Sequence, residues 1–240
     1  MAQADLITHV RQQGILDPFK FKKSIAVIGA GATGSYVSVF LAQMGCADIT
    51  VWDNDKVESH NPPNQVYDIP DIGRLKVDAL KDIILRKTGI EIKTRNEFVT
   101  NQDVAKSYVF LLVDTMKSRR EIFENCLERR FNIDLVIETR MDIDSGRVYA
   151  FNPCAPAQVE EWKATLYTDE QAVASPCGAS ASIIPTVVDV VSKAVWRMIQ
   201  HWDIKFGPNR SGQLHKLPMP NESLLAMGPE QVLHRSFKTL

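Results

Sequence analysis

The stretch SIAVIGAGATG, residues 24–34, decides the fold. A short apolar, β-branched run ends on Gly29, and the YVSVFLAQMG that follows has apolar residues at helical spacing, which predicts strand, tight turn and helix. Gly29, Gly31 and Gly34 space that turn as G-x-G-x-x-G, where backbone N–H groups and a helix dipole can hold phosphate. After Gly45 the chain reads CADITVWDND, a second strand ending in acidic residues, so the opening forms one βαβ unit with a parallel strand pair. Asp53 stands at the end of that strand, placed to accept hydrogen bonds from a ribose. Turn and acid together point to a nucleotide without choosing one, because dinucleotide oxidoreductases use the same pair. The alternative is that the glycines serve only close strand–helix packing. No G-K-[ST] follows the glycines, so a lysine that meets phosphate must come from elsewhere.

Outward from this unit, VESHNPPNQVYDIPDIG (57–73) carries Pro62, Pro63 and Pro70 and can neither continue a helix nor pair as a central strand. It reads as a long functional loop or a disordered one. RLKVDALKDIILRKTG (74–89) is a helix with Leu75, Ala79, Leu80, Ile83 and Ile84 on its apolar face and Gly89 closing it. IEIKTRNEFV (90–99) is a plausible strand, SYVFLLVD (107–114) a buried parallel strand, and KSRREIFENCLERR (117–130) a helix. DLVIETRMD and GRVYAFNP are later strands, PAQVEEWKATLYTDEQAVASP (156–176) is a crossover of weak pattern, and residues 178–202 form a long apolar helix. The fold class is therefore α/β: a Rossmann-like, doubly wound, mostly parallel sheet with helices on both faces and a polar C-terminal tail over 203–240.

Composition narrows the partners. Against 28 basic residues stand 29 acidic ones, so no global positive charge argues for nucleic acid. The polar N-terminus and the lack of a long apolar run argue against a secretory signal or a membrane span, leaving a cytoplasmic protein as the expectation. Cys46, Cys126, Cys154 and Cys177 form no C-x-x-C pair and the histidines are scattered, so neither zinc nor a disulfide framework is expected.

The segment DNDKVESHNPPNQ (53–65), between the glycine turn and IGRLK (72–76), resembles the signature D-x-D-x-V-x-x-S-N-L-x-R-Q…G-x-x-K of the ThiF/MoeB/HesA-type superfamily, the ubiquitin-activating-enzyme-like adenylyltransferases. The resemblance implies that Asp53 binds the ribose of ATP and that Asn61 and Lys76 contact its phosphates, with Asp55 and Gln65 in further motif places. LLVDTMKSR (111–119) resembles the family's D-x-x-x-x-R, which implies Asp114 as the magnesium-binding aspartate and Arg119 as the arginine beside the nucleotide. For Asp114 alone the plainer reading is a helix N-cap. VRQQGIL (10–16) resembles the R-Q-x-x-L segment, whose arginine, here Arg11, reaches the partner's ATP site in a homodimer. That places a helical segment at the N-terminus of an adenylation domain over residues 1–202. Some relatives use a cysteine to take the activated carboxylate. Cys177 in SPCGAS stands just before the long helix, whose N-terminus favours a thiolate, although a buried structural thiol is the other reading. Cys154 in NPCAP is a further candidate.

One motif residue differs. Asn64 stands where the family has arginine, offering neutral hydrogen bonds in place of a charged fork, with Arg11, Arg74, Lys76 and Arg119 as the cations able to compensate. The implied reaction uses ATP and Mg²⁺ to adenylate a carboxylate, foremost the C-terminal glycine of a ubiquitin-like or sulfur-carrier protein. The rivals are an NAD(P)-dependent oxidoreductase, a catalytically weak scaffold that binds a carrier, and an enzyme activating a small-molecule or nucleoside-linked carboxylate.

Overall fold

The structure, a computed structural model, describes residues 8–101, 104–142, 145–168 and 182–206. Strands β1 (Ile25–Ile28) and β2 (Ile49–Trp52) flank helix α1 (Ala32–Gln43), and both strands are buried at every position. Such strands, apolar but for Thr50, need cover on both faces, which is the condition of a central parallel strand. After the proline-rich loop come α2 (Lys76–Thr88) and the three-residue β3 (Lys93–Arg95). Only those three residues of the expected strand 90–99 pair, because Lys93 and Arg95 are exposed and the strand is an edge. The buried β4 (Tyr108–Leu111) leads to α3 (Met116–Ile122), which passes into a π-helical turn over Phe123–Leu127. Next are β5 (Leu135–Met141), β6 (Gly146–Phe151), α4 (Pro156–Ala164) and α5 (Ile184–Phe206).

The six strands lie in the order β3-β2-β1-β4-β5-β6, with every pairing parallel except the antiparallel β5–β6. Alternate residues of β1 serve opposite faces. Ile25 and Val27 join a core with Val37 of α1, Leu80 of α2 and Val190 of α5, whereas Ala26 and Ile28 join Phe123, Val159 and Trp162. Helices thus cover both faces, as the sequence pattern anticipates.

Three expectations change in detail. The first part of the crossover forms α4, fixed by Trp162, whose ring stacks 5.1 Å from Phe151 of β6 and lies 4.6 Å from Phe123. α5 runs on to Phe206, past residue 202, with Asp203 buried; residues 207–240, where the rest of the tail falls, lie outside the described residues. Near the N-terminus, residues 10–15 form successive turns, not a regular helix, held onto the end of α1 by His9 Nε2 near Gln43 O (3.2 Å) and Gln12 Nε2 donating to Met44 O (2.6 Å). No helix among the described residues is long and apolar enough to cross a membrane.

At the amino end of the sheet, His201 Nδ1 of α5 lies 3.0 Å from the Tyr108 hydroxyl. Burial first, then Lys205 and Lys23, push the imidazole down to about 4 against the opposing pull of Asp134. The unfolded chain, with an ordinary histidine near 6.5, therefore binds a proton that the native chain refuses between those values. Stability is expected to be full above pH 6.5 and to fall as the pH drops toward 4. Urea denaturation across that range checks this, and His201→Gln should flatten the slope.

Candidate active site

The chain crosses the sheet in opposite directions from β1 and β4, and ligands of such sheets bind in the crevice outside the carboxyl ends at that switch. The three glycines at its floor differ in what they do. Gly29 has φ +98°, and a Cβ there would sit 2.6 Å from Leu112 O, so glycine lets the turn lie against the end of β4. A Cβ on Gly34 would lie 1.8 Å from Gly29 O, so glycine is required for α1 to start where it does. A Cβ on Gly31 would meet nothing within 4 Å. Packing among the described residues does not demand that glycine, and a side chain there would face open space.

Asp53 holds this turn: Oδ2 accepts from Ala30 N at 2.7 Å and Oδ1 from Asp55 N at 2.8 Å. On the other side of the same residue, the Tyr67 hydroxyl donates to Ala30 O at 2.7 Å. Burial, then Asp53, Asp71 and Asp55, raise the Tyr67 hydroxyl well above its ordinary range, so it remains a protonated donor. Sequence reasoning missed Tyr67, whose only signal was an aromatic residue inside a polar, proline-rich loop.

That loop is ordered. Val57 N donates to Arg74 O and Gly73 N to Val57 O, while Asp68 and Asp71 cap a short 3₁₀ turn over Ile69–Asp71. Arg74 is engaged by Asp71 at 2.8 Å and by Asp82. Buried Asn61 accepts from Glu58 N through Oδ1 at 2.8 Å, and Val66 N reaches Ser35 Oγ of α1 at 3.4 Å, so the motif segment lies along the first turn of α1. Asn64 Nδ2 donates to Ser182 Oγ at 2.7 Å, while Asn64 Oδ1 and Gln65 Oε1 are buried without a hydrogen-bond partner among the described residues. Two buried acceptors left open are a cost that a donor would relieve.

Lys76 is the first residue of α2. Its stem is buried and its ammonium pairs at 2.8 Å with Asp55, whose side chain is 59% exposed. A cation at a helix N-terminus opposes the dipole, and its pair with a carboxylate that is itself solvated contributes little, so the ammonium can leave Asp55 for a stronger anion.

Asp114 is exposed at the carboxyl end of β4. The cap of α3 is Thr115, whose hydroxyl oxygen accepts from Ser118 N at 3.1 Å, so the carboxylate of Asp114 is not spent on capping. Among the described residues no cluster of three or more metal-ligating side chains occurs. Arg119 turns inward instead of toward the crevice: its guanidinium donates to Val113 O and Thr139 O and lies beside Glu138. Arg11 is exposed at the far end of α1, about 18 Å along a twelve-residue helix from the glycine turn, so within one chain it is not brought to the crevice. Cys177 lies outside the described residues. Cys154 is half-buried beyond β6, and Cys46 is a buried core thiol pushed up to about 12 by burial.

The ThiF family profile matches residues 13–226. Ubiquitin-like modifier-activating enzyme 5 of Caenorhabditis elegans is 28% identical over 103 residues, which are 42% of this chain and 25% of that protein. The probable molybdopterin-synthase adenylyltransferase of Porphyra purpurea is 31% identical over 114 residues, 45% of this chain and 30% of that protein. Both matches span less than a third of the relative's own length. Among solved structures, that of E. coli MccB with ATP aligns with a TM-score of 0.58 and 18% identity, covering 77% of this chain and 57% of that one, a likeness of fold.

Proposed function

The chain belongs to the ThiF family, and from that premise we propose that it adenylates a carboxylate in the β1–β4 crevice, consuming ATP and releasing pyrophosphate. The observation that carries this reading is the floor of the crevice. Asp53 and Tyr67 clamp the Ala30 backbone from both sides, and Gly31 beside it leaves its backbone open where no packing among the described residues asks for glycine. A turn fixed in that way presents N–H groups to phosphate at no reorganisation cost when ATP arrives.

The substrate carboxylate attacks the α-phosphorus in line; a carboxylate oxygen–phosphorus bond forms as the bond to the bridging oxygen breaks, and pyrophosphate leaves with the electron pair. No general base is needed, because a carboxylate is ionised at neutral pH. Asp53 keeps lone pairs free to accept from the ribose beyond its two backbone bonds. Lys76 exchanges Asp55 for the departing pyrophosphate, and Asn61 and Gln65 line the motif segment beside it. Asp114 is the residue to hold Mg²⁺: one free carboxylate at a strand end suits an ion that takes one or two carboxylates and completes its shell with phosphate oxygens and water. When bound, that ion supplies neutralisation of phosphate charge.

The substrate class proposed is the C-terminal glycine of a ubiquitin-like or sulfur-carrier protein, in keeping with the names of the two relatives. The assembly proposed is a homodimer in which Arg11, distant from its own crevice, serves that of the second copy; the distance and the R-Q-x-x-L resemblance support this reading. The test is incubation with ATP, Mg²⁺ and hydroxylamine, using a panel of Gly-Gly-ending carriers beside small carboxylic acids. AMP release with a hydroxamate on a carrier's C-terminus is expected. Hydroxamate on small acids alone would replace the carrier, and ATP binding without any hydroxamate would leave a scaffold.

A further inference from the structure

Behind the crevice, β5 carries Glu138, which is fully buried between two arginines that are themselves almost fully buried. Arg140 Nε lies 3.2 and 3.0 Å from the two carboxylate oxygens, and Trp162 Nε1 donates to Oε2 at 3.2 Å. Arg119 Nε stands 2.9 Å from Oε1, an ion pair by distance although its N–H is not aligned with the oxygen. Three charges withdrawn from water are costly, and an apolar cluster of similar volume would stabilise the fold equally well or better. Stability alone therefore gives little account of this cluster.

Its geometry gives a better one. The β4–β5 ladder pairs residues only as far as Leu111 with Glu138. Beyond that point Arg119 Nη2 donates at once to Val113 O (2.5 Å) and to Thr139 O (3.0 Å), bridging β4 and β5 where they stop pairing with each other. The residue after Val113 is Asp114. Thr139 Oγ1 in turn lies 3.5 Å from Thr33 Oγ1, on the first turn of the glycine-loop helix α1. On the far side, Arg140 donates to Thr165 O (2.7 Å) and to Thr165 Oγ1 (3.0 Å), at the exit of α4. One buried ionic cluster therefore ties together the β4 end, the second half of β5 and the exit of α4, and it touches the first turn of α1 through a threonine pair.

We propose that Arg119 and Glu138 are positioning residues of this site: Arg119 sets the direction of the Asp114 carboxylate by holding the Val113 carbonyl, and Glu138 fixes the guanidinium that does so. The inference rests on the adenylation reading, in which Asp114 meets the metal-bound nucleotide. It replaces the nucleotide contact expected of Arg119 with an action through the backbone.

The test is the affinity of the full chain for ATP, measured by calorimetry with and without Mg²⁺, in wild type, Asp114→Asn, Arg119→Met and the double variant. Arg119→Met leaves Glu138 paired with Arg140 and Trp162, so no lone buried charge results. Each single variant is expected to lose the gain in affinity that Mg²⁺ confers, about tenfold, and the double variant to lose no more than either single, as coupled residues do. For Arg119→Met the metal-free ATP affinity should stay within about twofold of wild type, a pattern that general loosening of the fold does not produce, whereas Asp114→Asn removes an anion that faces the phosphates and should bind metal-free ATP no more weakly than wild type. Should Arg119→Met fail to fold, Arg119→Lys retains a charge for Glu138 but not the forked donors, and the same loss is expected. Additive losses, an Mg²⁺ gain intact in the Arg119 variants, or a wild-type affinity that Mg²⁺ does not move would each overturn the positioning role alone. A wild-type chain that does not bind ATP at all would overturn the adenylation reading first, and this inference with it.

Discussion

Gly31→Ala is expected to fold and to bind ATP at least about tenfold more weakly than wild type, whereas Gly34→Ala is expected not to fold at all. Both changes add one methyl group, to glycines three residues apart. At Gly34 the new Cβ falls 1.8 Å from the carbonyl oxygen of Gly29, whose own N–H is held by Trp52 O of β2 at 2.8 Å, so neither side can yield without detaching α1 from the sheet. A clash of backbone with Cβ at that depth belongs among the rare substitutions that cost on the order of 4 kcal/mol or more. At Gly31 the backbone has φ −75° and the Cβ enters open space, so the change costs only the preference for glycine over alanine at a helix N-cap, about 1 kcal/mol or less. What it fills is the approach to the turn. Thermal denaturation separates the two variants, and calorimetry with ATP then reads Gly31→Ala. Unchanged ATP affinity in that variant would move the nucleotide away from the glycine turn.

Lys76→Ala is the second large effect. It is expected to lower the turnover of ATP–pyrophosphate exchange about 100- to 1000-fold with a small change in the KM for ATP, the signature of a group that acts on charge developing in the transition state. The ion pair contributes at most about 1 kcal/mol because its partner Asp55 is 59% exposed, but the Lys76 stem is buried, so Lys76→Met, which keeps an apolar stem there, is the variant expected to fold like wild type with the same loss of turnover. A melting temperature close to wild type beside a collapse of turnover separates a chemical role from a structural one. A Lys76→Ala chain that exchanges pyrophosphate at the wild-type rate would remove this lysine from the site.

The parts of the molecule legible from sequence are those in which local pattern and tertiary environment agree. β1, β2 and β4 are buried throughout and apolar but for Thr50 in β2, and α2 ends where Gly89 places it, at φ +70°, although it begins at Lys76, two residues after the expected start, with Leu75 extended as its cap. Order in the proline-rich loop was not legible, because the bonds that create it are long-range, such as Tyr67 to Ala30 across 37 residues. α4 was not legible because its amphipathic pattern is weak and Trp162, packed on β6 and the π-helical turn, decides it. The direction of β6 follows from a connection too short for a crossover, as its antiparallel pairing with β5 requires.

The site divides in the same way. Motif spacing brought Gly29, Gly31, Gly34, Asp53, Tyr67's loop neighbours Asn61 and Gln65, Lys76 and Asp114 into view, and the fold gathers them around one crevice or on the loop beside it. Spacing could not say which way a side chain turns. Arg119 occupies its motif place yet points inward, because Glu138 awaits it there. Glu138 itself was overlooked as one charge in the apolar run LVIETRM. A carboxylate in a strand that reads as buried is already a sign that a cation must be near, and Arg140 two residues on was the visible half of the answer.

The most direct test of the central claim is exchange of labelled pyrophosphate into ATP by the wild-type chain with Mg²⁺ and a Gly-Gly-ending carrier. Exchange that requires the carrier's free C-terminal carboxylate, and disappears when that carboxylate is amidated, is the result this account predicts. ATP bound in the crevice with no exchange in the presence of any carrier or small carboxylic acid would contradict it.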